Sequence, residues 1–107
     1  MRVNLLLRLQ DIEDEYGDDD IVLTRPFDLP FAPFPGLYLE WGDVRQLCIR
    51  QVLYDTTDGA FTCYPTTTGQ PSSLIEYYRD GWGVSKVLTS EAGLARAARL
   101  LREDDDD

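Results

Sequence analysis

The chain has 107 residues, 43% of them apolar and 11% aromatic, with 20 acids against 10 bases and a formal charge of −10. That length and apolar share describe one folded domain burying roughly 65% of its unfolded surface, and they exclude a wholly disordered acidic segment. An isoelectric point near 4.2 argues against direct contact with nucleic acid, whose phosphates it would repel.

The acids are unevenly placed. Seven of them (Asp11, Glu13, Asp14, Glu15, Asp18, Asp19, Asp20) fall between residues 11 and 20 with no base among them. The chain closes on Glu103, Asp104, Asp105, Asp106 and Asp107. Without those twelve charges the formal −10 becomes +2, so the negative charge is local. The expected organisation is a single globular domain over 1–103, an acidic loop at 11–20 and a disordered acidic tail at 104–107.

In chain order, Val3, Leu5, Leu7 and Leu9 alternate with Arg2, Asn4, Arg8 and Gln10, which predicts a half-buried strand. Arg8 breaks the apolar run after five residues and no small-residue cleavage site follows, so no secretory leader is expected. Ile21–Thr24 is a short β-type run, and Pro26 cannot donate to a ladder. Residues 25–36 carry four prolines and three phenylalanines (Phe27, Phe31, Phe34), a composition that excludes a helix interior. This stretch either covers a sheet edge or end, or offers an aromatic docking surface.

Leu37–Trp41 reads as a strand. Residues 44–54 and 60–64 flank Asp58-Gly59, the strongest hairpin signal in the chain, and are expected at the centre of the sheet. Leu47, Ile49, Leu53 and Phe61 are the expected buried residues there. This hairpin places Cys63 opposite residues 51 to 54, leaving Cys48 roughly 10 Å away or more. A disulfide needs Cα atoms within about 7 Å, so two reduced thiols are expected.

The last third changes period. Ser73 and Glu76 have capping-box spacing, predicting a short helix that Gly81 stops. Residues 82–88 read as a strand holding the chain's single lysine, Lys86. Ser90 caps a longer helix whose expected stripe is Leu94, Ala97, Ala98 and Leu101. The fold class is therefore α+β: a small curved antiparallel sheet or partly open barrel of five to six strands, with one short and one longer helix in the C-terminal third.

Several chemistries lack their residues. The chain has no histidine, and its two cysteines lack C-x-x-C spacing. Neither a Walker lysine motif nor G-x-G-x-x-G occurs. Placing Gly17 or Gly59 at position 6 of a calcium loop puts Ile12 or Tyr54 in the first ligand position. No catalytic residue, metal or cofactor is expected, and no apolar run approaches the roughly 18 residues that span a bilayer.

What remains is binding. An extended chain rises about 3.3 Å per residue, close to the roughly 3.4 Å phosphate spacing of one DNA strand. A carboxylate run can thus occupy an Arg/Lys channel, and the expected partner is a basic protein surface of a nucleic-acid-binding complex in the cytoplasm. Phage or mobile-element inhibitors of CRISPR and restriction complexes, antitoxins and immunity proteins work this way as classes. The analogy is one of composition, and no motif ties the chain to such a family. Partner contact falls to Asp11, Glu13, Asp14, Glu15, Asp18, Asp19 and Asp20, and secondarily to Phe27, Phe31 and Phe34. The alternative is a non-catalytic accessory subunit docking through the Pro/Phe segment.

Overall fold

The computed structural model describes residues 1–10, 20–41, 45–66 and 69–105. It contains strands β1 (Arg2–Leu9), β2 (Ile21–Asp28), β3 (Tyr38–Trp41), β4 (Arg45–Asp55), β5 (Ala60–Pro65) and β6 (Gly83–Val84). Two helices, α1 (Leu74–Arg79) and α2 (Glu91–Asp105), occupy the C-terminal third. The strands form one open sheet in the order β3-β4-β5-β1-β2-β6, which is the expected α+β class.

The sheet is mixed rather than wholly antiparallel, because β5 runs parallel to β1, with Val3 opposite Phe61 and Leu5 opposite Cys63. Alternation of side chains reports a face and not a direction, so the pattern of β1 could not show this. The hairpin of β4 and β5 is also off-centre, since β5 and β1 hold the middle of the sheet.

The residues group into two compact units, Met1–Leu6 with Arg25–Thr67, and Leu7–Thr24 with Thr68–Asp107. In the first, β4 pairs antiparallel with both β3 and β5. Opposite β5 the register of β4 shifts between Ile49 and Gln51, a one-residue β-bulge. That bulge corrects the expected core. Leu47 and Ile49 are buried, but beyond the extra residue the alternation changes phase. Val52 then faces Cys63, Leu53 is exposed, and Phe61 is only half-buried, its ring 4.9 Å from that of Tyr54. Cys63 lies opposite Val52, and both thiols are free as expected.

In the second unit the Gly69 N–H donates to the Arg8 carbonyl, and the Gln10 N–H donates to that of Gly69. A 3₁₀ turn, Pro71–Ser73, then leads into α1. Ser73 makes no side-chain cap, so the expected capping box is absent; its backbone is already spent in that turn. Gly81 does stop the helix. At φ +101° its N–H donates to the Tyr78 carbonyl, and the Trp82 N–H donates to that of Tyr77. This is a Schellman ending, and its usual apolar contact is the edge-on packing of buried Trp82 against Tyr77 at 5.8 Å.

Strand β6 is two residues long instead of seven, for a local reason. Ser85 turns the chain: its Oγ accepts from Leu88 N–H, and its carbonyl accepts from Thr89 N–H. Buried Thr89 then replaces a strand backbone, its Oγ1 accepting from Val22 N–H at 3.1 Å. Ser90 Oγ caps α2 by accepting from Gly93 N–H. Among the residues of α2 whose burial is described, Gly93 and Ala97 are buried while Ala98 is exposed, so the stripe is rotated from the expected one. The helix α2 packs on α1 and continues through Asp105.

Candidate partner-binding surfaces

The formal charge divides sharply between the units. The first has four arginines (Arg2, Arg25, Arg45, Arg50) against five acids (Asp28, Glu40, Asp43, Asp55, Asp58), a net −1. The second holds the other six bases and fifteen acids, a net −9.

Of the predicted acidic contact residues, Asp11, Glu13, Asp14, Glu15, Asp18 and Asp19 lie outside the described residues. Asp20 is described, and its carboxylate is tied within the chain. Its side chain is only 16% exposed, and its Oδ2 accepts from Gln10 Nε2 at 3.1 Å. Arg8 Nε stands 4.0 Å from the same oxygen, with its own side chain more than half exposed. A part-buried hydrogen bond to a carboxylate is worth roughly 1.5–3 kcal/mol, whereas an exposed ion pair at that distance contributes about 0–1. Gln10 is the stronger tie.

The main chain reinforces it. Gln10 is held by Gly69 on one side of the acidic run, and on the other the Asp20 carbonyl lies against Gly93 of α2. A Cβ on Gly93 would collide with that carbonyl and with the Thr89 methyl. The segment 11–19, with six acids and no base, thus starts and ends at two residues joined by a hydrogen bond. Asp20 acts as the clasp of that segment, its Oδ2 engaged by Gln10 and Arg8.

The secondary candidates separate as well. Phe31 and Phe34 come together, ring centroids 6.3 Å apart, at 45% and 50% exposure. Phe27 belongs to β2, is half-buried, and lines a shallow pocket of about 270 Å³ with Arg2, Asn4 and Asp28. The Pro/Phe segment is strapped at both ends. Met1 and Leu29 exchange backbone hydrogen bonds, and further on Gly36 N–H donates to Ile49 O while Ile49 N–H donates to Leu37 O. Sequence reasoning missed two other exposed features: Tyr38 on β3 at 67%, and the Val87–Leu88 tip of the Ser85 turn. The serine at 85 and the threonine at 89 were the available signals for that turn.

Burial raises the pKa of the Cys63 thiol, which suits a packing role better than a nucleophilic one. Among the described residues no helix is long and apolar enough to cross a membrane. No protein-family model matches the chain, and neither does any curated protein or solved structure.

Proposed function

We propose that this chain is a non-catalytic cytoplasmic binding protein that blocks a basic, nucleic-acid-handling partner by presenting carboxylates in place of phosphates. The observation that carries this reading is the clasp: Asp20 is tied to Gln10, and between them lie six acids and no base. Tethering both ends lowers the entropy lost when the segment is ordered on a partner, a cost of about 1–2 kcal/mol per residue for a free chain. No such clasp is described at Asp104–Asp107, so that run is the weaker contact. An inhibitor from a phage or mobile element, an antitoxin and an immunity protein all fit this chemistry.

A second reading, an accessory subunit docking through its aromatic strap, is favoured by one observation, the paired and half-exposed Phe31 and Phe34. Capture of lysate proteins on the immobilised chain at low and high salt, read by mass spectrometry, identifies the partner and separates the two. Electrostatic contact loses affinity steeply with salt, and an apolar dock barely responds. With the partner in hand, replacing Asp11, Glu13, Asp14 and Glu15 by Asn or Gln weakens binding at least about tenfold, or 1.4 kcal/mol. Removing Asp104–Asp107 costs much less. Equal losses would reduce the effect to net charge, and no loss from either change would shift the site to Phe31 and Phe34.

A further inference from the structure

The first unit ends in an open sheet edge. Strand β3 pairs with β4 on one side, and among the described residues no strand lies on the other. The hydrogen bond from Ile49 N–H to the Leu37 carbonyl sets the phase of the ladder. With Tyr38 opposite Cys48 and Leu39 opposite Leu47, the backbone groups of Leu39 and Trp41 turn toward β4. Those of Tyr38 and Glu40 therefore point outward. Edges are usually defended by lysine, proline or inward charge, and β3 carries none of these. Its single charge is Glu40, and the strand follows directly on the exposed Phe31 and Phe34.

We propose that β3 is a self-association edge, paired antiparallel with β3 of a second copy of this chain. Three observations choose that occupant. The pattern is self-complementary: a two-fold axis at Leu39 places Tyr38 opposite Glu40 of the other copy, and Glu40 opposite its Tyr38. Both outward residues then exchange N–H and C=O, giving four backbone hydrogen bonds in this register. No like charges face each other, and an aromatic ring lies beside each carboxylate. The unit bearing the edge is also nearly neutral at −1, so the repulsion between copies comes mainly from acids of the other unit. A basic extended peptide would find one acid on this edge, whereas a second copy finds a matched partner for each outward residue, Tyr38 and Glu40.

The dimer strengthens as salt screens the total charge of −10, opposite to the trend for a basic partner. The test is sedimentation equilibrium of the full chain, from micromolar to about millimolar concentration, at low and high salt. The expected result is a monomer–dimer equilibrium whose dimer share rises with both variables. Tyr38→Glu sets two acids opposite each other and shifts the dissociation constant up at least about tenfold, or 1.4 kcal/mol. Tyr38→Lys sets opposite charges together and preserves or tightens the dimer. Because Tyr38 is two-thirds exposed, both variants should melt close to the parent, which separates lost association from lost folding. A monomer throughout overturns the proposal. So does a dimer indifferent to Tyr38→Glu, or one weakened equally by Tyr38→Lys.

Discussion

The two units carry opposite kinds of surface. The first exposes Met1, Phe31, Phe34, Tyr38, Leu53 and Tyr54 and is almost neutral, while the second exposes Tyr78, Val87 and Leu88 and holds nearly all of the charge. A single figure of −10 hides this division. Salt strengthens apolar and backbone association between like-charged molecules, and it weakens contact between opposite charges. One chain can therefore show both trends, each belonging to its own surface.

The sharpest way to break the comparison is at the foot of the acidic run. Gly93→Ala gains up to about 1 kcal/mol of helix propensity, but overpacking against a backbone carbonyl costs about 1–3. The collision is with the Asp20 main chain, which cannot swing aside as a side-chain tip can. A net loss of about 1–2 kcal/mol is expected in urea denaturation, together with weaker binding to a basic partner. Self-association through β3 should survive in the fraction that stays folded. A stabilised Gly93→Ala variant would mean that the close approach is not a constraint.

A smaller effect belongs to the first unit. Burial holds the Cys63 pKa above its ordinary value of 9.0, so the unfolded chain gives up this proton first. The contribution of the neutral thiol is full below that ordinary value and is lost as pH rises through the folded pKa. Between pH 9 and 10 the slope it adds is at most about 1.4 kcal/mol per pH unit. Urea denaturation at pH 8 and pH 10 should show a smaller alkaline loss in Cys63→Ala than in the parent. Equal losses in the two proteins would assign the alkaline slope to other groups.

Local chemistry was legible in the sequence wherever one residue type dictated the geometry. The alternation of β1, the Ser90 cap and the Gly81 helix stop are cases of this kind. The α+β class followed from the change of period after residue 72. Features that depend on a distant partner were not legible. The extra residue at the Ile49/Gln51 bulge looks like ordinary strand, yet it moves Leu53 from the expected core to the surface. The direction of β5 against β1 depends on which arm of the hairpin reaches β1, and alternation is silent on that. Asp20 reads like its acidic neighbours, but Gln10, ten residues earlier, bonds its carboxylate, and Gly93, far later, packs against its carbonyl.

The central claim is that electrostatic contact belongs to the acidic unit alone. It is tested most directly by titrating the ¹⁵N-labelled chain with a deca-arginine peptide and following backbone amide shifts. The account predicts that perturbations concentrate on residues 7–24, including the clasp at Gln10 and Asp20, and fade as salt is added. Amides of Phe31, Phe34 and Tyr38 should stay in place. Shifts of equal size at those three residues, or perturbations that persist at high salt, would contradict it.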